Sequence, residues 1–171
     1  DVGCGTGNLI KYFNNKFFLK PKNYLGLDFS LKMIEFCKIK YPKYQFLNAD
    51  LLEEDNKNQY YFNNKSKFGL VVCLSTIQQK PKNISTQYYI NNNLKKFYER
   101  TKNNGYIIFD IFYDKNIDYK SKDLNYLSIN QIYSICNKYT NSLILDFSVS
   151  PYEAVIIIKK DKWLIFLIFK F

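Results

Sequence analysis

The first eight residues constrain the fold of this 171-residue chain more than any other segment. Glycine occupies positions 3, 5 and 7, with Asp1 and Val2 before them and Asn8 after them. Glycine accepts backbone conformations and close approaches that other residues do not, so this pattern predicts a tight turn from a strand into a helix. A dinucleotide-binding G-x-G-x-x-G would need glycine at position 8, and the G-x-x-x-x-G-K-[ST] of a P-loop is absent. An NAD-dependent enzyme is therefore a distant alternative.

The remainder of the chain alternates short apolar strands with helices, which favours a parallel sheet covered on both faces. Strands are predicted at residues 23–28, 44–50, 68–75, 106–112, 143–149 and 154–158. Helices are predicted at residues 8–18, between Ser30 and Pro42, and at residues 88–101 and 129–139. The last two strands meet near Pro151, which suits an antiparallel hairpin at a sheet edge. Residues 53–67, rich in Asn and Lys, are predicted to be a loop with one helical turn.

Apolar residues at helical spacing predict which helix faces are buried. Ser30 is a candidate cap for the second helix, and Ser128 with Gln131 forms a predicted capping box for the fourth. Asn103, Asn104 and Gly105 are a turn signal. The predicted buried faces are Leu9, Ile10 and Phe13 in the first helix, Met33, Ile34 and Cys37 in the second, and Ile90, Leu94 and Phe97 in the third.

Composition excludes several classes of protein. The chain contains no histidine, which rules out histidine triads and histidine metal ligands. Its four cysteines form no C-x-x-C pair, so we expect reduced thiols and no metal site. No apolar run reaches the roughly 20 residues of a membrane helix, and we expect no membrane association. The net charge is +10, which suits an acidic partner. A genome biased towards A/T-rich codons, which encode lysine, would produce the same charge.

The opening segment, D-V-G-C-G-T-G-N, resembles the first motif of the class I S-adenosylmethionine-dependent methyltransferases. The resemblance implies that Asp1 lies near the amino group of the cofactor's methionine. It also implies that the turn Gly3-Cys4-Gly5-Thr6-Gly7 approaches the cofactor closely. The N-terminus of the following helix favours the methionine carboxylate.

Two acidic positions extend this resemblance. Asp28 ends a predicted strand 21 residues after Gly7, where the family uses an acid to accept both ribose hydroxyls, and we place Phe29 in the same site. Asp50 follows the next strand, and the family's equivalent acid contacts the adenine amino group while the backbone amide after it, here Leu51, reads the ring. The alternatives are a strand-end carboxylate at Asp28 and a helix-capping one at Asp50.

Residues 68–78 resemble the family's strand whose end faces the transferred methyl group, although Gly69 stands where the family usually has Asp. Ser75, Thr76 and Gln78 would line that position, and we expect Ser75 or Gln78 to orient the methyl acceptor by hydrogen bonding. The alternative is that these side chains only cap a strand end.

Residues 74–78, 94–98, 109–116 and 145–147 look similar to a eukaryotic subfamily that methylates the position-seven nitrogen of a guanine in small-subunit ribosomal RNA. This resemblance implies two partners, ribosomal RNA and a small zinc-binding activator protein, and a location in the nucleus or cytoplasm. The chain departs from the subfamily at Gln79, where an aromatic residue is typical. It also ends in the apolar residues 163–167 rather than in a basic tail.

These observations predict an α/β, Rossmann-like, doubly wound fold with a mostly parallel seven-stranded sheet and an antiparallel C-terminal edge hairpin. We expect residues 1–171 to form a single methyltransferase domain, truncated at its N-terminus, with the first strand and the preceding helix largely missing. We expect an S-adenosylmethionine-dependent enzyme acting on RNA. Two alternatives remain open: a methyltransferase of small molecules or proteins, and a non-catalytic scaffold that supports a partner.

Overall fold

The computed structural model describes residues 1–50, 67–78, 84–113, 126–139, 142–150 and 153–160. The chain divides into two compact units, Asp1–Ser66 and Lys67–Phe171. The predictions for Leu51, for residues 53–66, for Gln79 and for residues 163–169 lie outside the described residues. None of the helices within the described ranges has the length and apolar character needed to cross a membrane.

The first unit contains two helices and two strands. Its elements are α1 (Asn8–Phe17), a 3-10 turn (Pro21–Asn23), β1 (Leu25–Asp28), α2 (Leu31–Lys40) and β2 (Gln45–Asn48). The strands β1 and β2 are parallel, with Asp28 opposite Asn48, and Val2 forms an isolated parallel bridge with Leu27 on β1. The glycine turn and the ends of β1 and β2 therefore belong to one parallel arrangement, as predicted.

The predicted strand at residues 23–28 begins two residues late, because Pro21 starts the 3-10 turn that occupies its first part. The side chain of Ser30 caps α2 by accepting a hydrogen bond from the backbone N–H of Met33, which confirms that prediction. The core of this unit packs Cys4, Ile10, Tyr24, Ile34, Cys37 and Phe46 together.

Two of the predicted buried helix faces are narrower than expected. Only Ile10 is buried in α1, whereas Leu9 and Phe13 are half-buried. Met33 on α2 is 40% exposed, so its predicted place in the core is wrong. The core of this unit rests on a sheet of two short strands, which gives each helix room to bury only one or two side chains.

The second unit contains two helices and five strands among the described residues. Its elements are β3 (Phe68–Cys73), α3 (Thr86–Arg100), β4 (Thr101–Tyr113), β5 (Tyr126–Leu127), α4 (Ile129–Cys136), β6 (Ser142–Ser150) and β7 (Glu153–Lys159). The sheet has the order β3-β4-β7-β6, and β5 pairs with β4. β4 is parallel to β3 and β5, whereas β7 is antiparallel to both β4 and β6.

The helices of this unit follow the sequence pattern closely. Ser85 caps α3, and the predicted inward residues Ile90, Leu94 and Phe97 are all buried. The predicted capping box of α4 is present, with Ser128 accepting from the Gln131 backbone and the Gln131 side chain accepting from the Ser128 backbone.

The turn predicted at Asn103-Asn104-Gly105 lies inside β4 rather than before it. Asn104 has a φ of 63°, and the pairing of β3 with β4 shifts register between Phe68 and Leu70. Lys160 donates its backbone N–H to the Gly105 carbonyl and accepts from the Asn104 N–H, so the strand pairs past the irregularity. The residues that predicted a turn form a bulge within the strand instead. The parallel partner β3 and the antiparallel partner β7 keep β4 extended on both sides of it.

The fold is α/β, with parallel pairing in both units. The prediction of one seven-stranded sheet is not confirmed: the strands of the described residues form a two-stranded and a five-stranded sheet. β1 and β2 extend over four residues each, which is shorter than the predicted strands.

Candidate functional site

The glycine turn in the first unit is held against the end of β1 by its backbone. The carbonyl of Leu27 accepts hydrogen bonds from the N–H groups of Gly3 and Cys4, at 2.7 and 2.9 Å. All three predicted glycines adopt positive φ, at 71° for Gly3, 50° for Gly5 and 76° for Gly7. The turn therefore needs glycine for its backbone path, in agreement with the sequence pattern.

Gly5 and Gly7 differ in what surrounds them. A β-carbon on Gly7 would lie 2.7 Å from Cε2 of Tyr41, so the inner side of the turn is closely packed. Apart from its chain neighbours, no atom of the described residues would lie within 4 Å of a β-carbon on Gly5. Among the described residues, the outer surface of the turn is therefore open at Gly5, and a ligand could approach the backbone there. Gly7 caps α1 without a side-chain hydrogen bond, which leaves the first-turn N–H groups of α1 available to an anion.

Asp28 lies at the end of β1 with its carboxylate turned towards this turn. Its Oδ2 accepts a 2.9 Å hydrogen bond from the N–H of Gly5, and its Oδ1 accepts a 2.9 Å hydrogen bond from the N–H of Ser30. Asp28 is only 7% exposed. A carboxylate has about four acceptor positions, so each oxygen retains one for a ligand hydroxyl.

Asn48, at the end of β2, bonds to the backbone at the end of β1. The side-chain amide of Asn48 donates to the carbonyls of Asp28 and Phe29, at 3.0 and 2.8 Å, and fixes the chain where β1 ends. Phe29 is 63% exposed, which leaves an apolar ring beside the carboxylate of Asp28. Asp50 is half-buried two residues beyond β2. Leu51, the last predicted contact, lies outside the described residues.

Asp1 has a partner that the sequence did not indicate. The hydroxyl of Tyr24 donates a 2.6 Å hydrogen bond to Oδ2 of Asp1. Tyr24 is buried among aromatic neighbours, with its ring edge-on to those of Tyr44 and Phe46. Burial raises the pKa of Tyr24, so the hydroxyl keeps its proton and remains a donor to the carboxylate.

Cys4 and Cys37 are buried in the core next to the glycine turn, and both are neutral thiols. The Cys37 thiol donates to the Gly5 carbonyl at 3.1 Å, and both sulfur atoms belong to the core cluster. Burial, with the neighbouring Cys37, raises the pKa of Cys4 to about 12. Since the Cys4 side chain faces the core, its predicted contact with a cofactor would fall to its backbone.

A second group of polar residues lies in the other unit, just beyond β3. Ser75 has a φ of 54°, and its N–H donates to both carboxylate oxygens of Asp110, at 2.8 and 3.0 Å. Gln78 is buried, and its Nε2 donates to Oε1 of Glu153 at 2.5 Å. Glu153 also lies close enough to Asp110 to raise the pKa of its carboxyl group. Each of the predicted residues Ser75 and Gln78 therefore bonds to an acid, Asp110 on β4 and Glu153 on β7.

The surroundings of Asp110 raise the pKa of its carboxyl group. Burial, followed by the hydrogen bond and the charge of Glu153, raises the pKa of Asp110 from 3.8 to about 7, although the Ser75 N–H acts in the opposite direction. The shift means that Asp110 keeps its proton in acidic solution and loses it near neutral pH. Such an arrangement is common at functional sites, but it also occurs in structural networks.

The sequence pattern predicts no role for Asp110, Glu153, Tyr24 or Asn48. Asp110 was detectable in principle, because it interrupts the apolar run Ile107-Ile108-Phe109 and Ile111-Phe112 of a central strand. A carboxyl group at such a position needs a partner. Nothing in the local sequence singles out Glu153, since its relation to Gln78 depends on the pairing of β4 with β7.

Comparisons with known proteins identify the family of the chain. Residues 1–107 match the family model described as "Methyltransferase domain". The chain belongs to this methyltransferase family, and it is an S-adenosylmethionine-dependent methyltransferase. No curated protein sequence matches the chain.

Solved structures with the same fold share little sequence with the chain. An S-adenosylmethionine-dependent methyltransferase from Clostridium acetobutylicum is 15% identical with a TM-score of 0.64, covering 94% of this chain and 82% of its own. CalS10, an amino pentose methyltransferase from Micromonospora echinaspora, solved with S-adenosylmethionine bound, is 12% identical with a TM-score of 0.65 and coverages of 93% and 81%. A chain from the complex of the Haloferax volcanii Trm112 methyltransferase activator with a methyltransferase is 12% identical with a TM-score of 0.66 and coverages of 94% and 81%.

The cofactor of the family is S-adenosylmethionine, and the residues of the first unit suit it. The remaining acceptor positions of Asp28 match two vicinal hydroxyls, and the open surface at Gly5 admits a ligand against the backbone. The uncapped N-terminus of α1 suits a carboxylate, whereas Asp1 suits an ammonium group. The cofactor supplies a methyl group activated by a sulfonium, and these residues would hold it without taking part in the transfer.

Proposed function

We propose that this chain methylates a guanine ring nitrogen of small-subunit ribosomal RNA, with S-adenosylmethionine bound by Asp1, Gly3, Cys4, Gly5, Gly7, Asp28, Phe29, Asp50 and Leu51. The acceptor is oriented by Ser75 and Gln78. The observation that carries this proposal is the buried Gln78 amide, which is held at one end by Glu153. It offers a neutral, directed hydrogen-bonding group of the kind that recognises a base edge.

The chemistry of a ring nitrogen agrees with the residues available. The position-seven nitrogen of guanine already has a free lone pair, so its methylation requires no base to remove a proton. Orientation of the two reactants can supply most of the rate. The absence of histidine from the sequence is then no obstacle.

Charge gives independent support for a polyanionic substrate. The chain carries 25 basic and 15 acidic residues, for a net charge of +10. A chain with this excess attracts RNA over distances of about a Debye length, roughly 8–10 Å at physiological salt.

The test is methyl transfer from radiolabelled S-adenosylmethionine to purified small-subunit ribosomal RNA, compared with transfer RNA and with no RNA. We expect RNA-dependent turnover that weakens as salt increases, and mapping of the product to a 7-methylguanosine. Asp28→Ala serves as the control that removes the cofactor site. Turnover of a small amine or hydroxyl compound without RNA would replace the proposal by its main alternative.

That alternative, a small-molecule methyltransferase, has one specific observation in its favour. CalS10 acts on an amino pentose and shares the fold. Amine methylation needs a group that accepts a proton, and Asp110 is the described acid whose pKa is near neutrality. The third possibility, a non-catalytic scaffold, predicts no turnover with any acceptor and is opposed by the intact hydrogen bond from the Gly5 N–H to Asp28.

We propose also that a small zinc-binding activator protein assists this chain, which would act in the nucleus or cytoplasm. The structural neighbour from Haloferax volcanii was solved in a complex with a methyltransferase activator, and the fold similarity has a TM-score of 0.66. Co-expression of the chain with such an activator should raise its yield and its thermal midpoint. An unchanged midpoint at saturating activator would contradict this partner.

A further inference from the structure

The chain leaves β3 through an exposed residue with a strained backbone. β3 ends at Cys73, and two positions later Ser75 has a φ of 54°, in the left-handed region that residues with a side chain rarely adopt. Ser75 is exposed. Glycine would adopt this conformation without strain, as it does three times in the turn of the first unit. The chain therefore carries a hydroxyl group at a position where the backbone alone would favour glycine.

A buried carboxyl group on β4 holds Ser75 in this conformation. Both oxygens of Asp110 accept from the Ser75 N–H, at 2.8 and 3.0 Å. Asp110 is 5% exposed and interrupts an apolar run of β4, where an acid is costly to bury without a partner. Cys73 pairs with Phe109, so Asp110 lies one position beyond the last pair of the two strands. Its side chain thus bonds an N–H that lies past the end of the ladder.

This contact lies at the edge of the sheet where a ligand is expected. β3 and β4 are parallel, so their carboxyl ends lie at the same edge, and open α/β sheets bind their ligands there. The residues that follow are fixed as well, because Ile77 is fully buried and the buried Gln78 amide donates to Glu153. Ser75 is therefore an exposed residue at the start of a segment that is anchored at both ends.

We infer that Asp110 is a positioning residue for methyl transfer, which holds Ser75 in the left-handed conformation so that the Ser75 hydroxyl is presented to the methyl acceptor. The inference rests on the proposed function, in which Ser75 orients the acceptor, and it adds the residue that orients Ser75. Asp110 itself does not touch the acceptor and exchanges no proton with it.

The physical reason is preorganisation. A hydroxyl whose backbone is fixed before the acceptor arrives loses less conformational freedom on binding. Transfer of a methyl group is an in-line displacement, so its rate depends on the orientation of the acceptor atom. Without the acceptor oxygens of Asp110, Ser75 would relax to a negative φ and its hydroxyl would point elsewhere.

The first measurement observes Ser75 without any acceptor. The full chain is labelled with nitrogen-15 and carbon-13, and hydrogen exchange of the Ser75 amide is followed by NMR. The amide should be protected in the wild type and in Asp110→Asn, which keeps an acceptor oxygen. It should exchange at least about tenfold faster in Asp110→Leu, which has a similar size but no acceptor.

The second measurement is methyl transfer from S-adenosylmethionine to small-subunit ribosomal RNA, in a double-mutant cycle of Ser75→Ala and Asp110→Leu. Each single change should lower kcat/KM by about 3- to 10-fold, which is the contribution of one hydrogen bond. Because Asp110 acts through the Ser75 hydroxyl, the double variant should be no slower than Ser75→Ala alone. An Asp110 with a merely structural role would give losses that multiply.

Further comparisons separate positioning from other roles. Asp110→Asn should recover most of the activity that Asp110→Leu loses, whereas a base at Asp110 would make both variants equally slow. Asn93→Leu replaces a 1% exposed polar residue of α3, whose amide donates to the Tyr89 carbonyl, and is the matched control that should leave kcat/KM unchanged. Affinity for S-adenosylmethionine should be the same in every variant, because the residues proposed to bind it belong to the first unit.

The outcomes distinguish this inference from the proposed function. An unprotected Ser75 amide in the wild type, or losses that multiply in the double variant, would overturn the inference even if ribosomal RNA is methylated. A Ser75 amide that loses its protection in Asp110→Leu, without methylation of ribosomal RNA, would support the hold on Ser75 and contradict the proposed substrate. If Asp110→Leu does not fold, the wild type decides: the Ser75 amide signal should move as the Asp110 carboxyl carbon titrates, and a signal that stays fixed would overturn the inference.

Discussion

The backbone N–H of Gly5 donates a 2.9 Å hydrogen bond to Oδ2 of Asp28, joining the glycine turn to the end of β1. The contact makes two predicted cofactor residues, 23 positions apart, mutually dependent. Oδ1 of Asp28 accepts from Ser30, the residue that caps α2. One buried carboxylate therefore organises the turn, the strand end and the start of a helix.

Asp28→Ala should weaken both cofactor binding and the fold. Two backbone N–H groups lose their acceptor, which costs about 1–3 kcal/mol of unfolding free energy, and the ribose loses a charged partner. We expect S-adenosylmethionine affinity to fall about 10- to 100-fold by calorimetry. Glu35→Ala, which removes an exposed carboxylate from α2, is the matched control and should leave both quantities unchanged. Wild-type affinity in Asp28→Ala would refute the ribose contact.

Gly5→Ala and Gly7→Ala should separate binding from stability. Both positions have positive φ, so each substitution costs about 1–2 kcal/mol in strain. The new methyl group at Gly7 would also lie 2.7 Å from the Tyr41 ring, whereas the one at Gly5 meets no atom of the described residues within 4 Å, its chain neighbours apart. Gly7→Ala should therefore lower the thermal midpoint more, and Gly5→Ala should weaken S-adenosylmethionine binding more. The reverse order would mean that the cofactor does not approach the turn at Gly5.

Residues near one another in sequence were predicted well, because their interactions are local. The glycine turn, the Ser30 cap and the Ser128–Gln131 capping box each depend on groups a few positions apart. The position of Met33 was wrong because burial depends on what covers a helix, and here its side chain is 40% exposed. The role of Glu153 could not be foreseen, since it reaches Gln78 only through the antiparallel register that places Phe112 opposite Glu153.

Lys160 should stabilise the second unit through the end of α3. Its Nζ donates to the carbonyls of Tyr98 and Thr101, the latter at 2.9 Å, and lies 4.2 Å from the centre of the Tyr98 ring. A cation here adds a donor to two carbonyls at the C-terminal end of α3 and complements the helix dipole. Lys160→Met should lower the unfolding free energy by about 1–2 kcal/mol in urea titrations. Lys95→Met, exposed on the same helix, is the control, and equal losses in the two variants would refute the capping role.

The stability of the chain should depend on the protonation of Asp110. Its pKa is raised from 3.8 to about 7, so the folded state binds this proton more tightly than the unfolded state does. A raised carboxyl pKa gives stability that is fully present below about pH 4 and is lost as pH rises to about 7. Asp110→Asn has no such proton, and other titrations cancel in the comparison. The unfolding free energy of the wild type, relative to Asp110→Asn, should therefore fall between pH 5 and pH 8 in urea titrations. A difference that stays constant or grows with pH would show that the pKa of Asp110 is not raised in the folded chain.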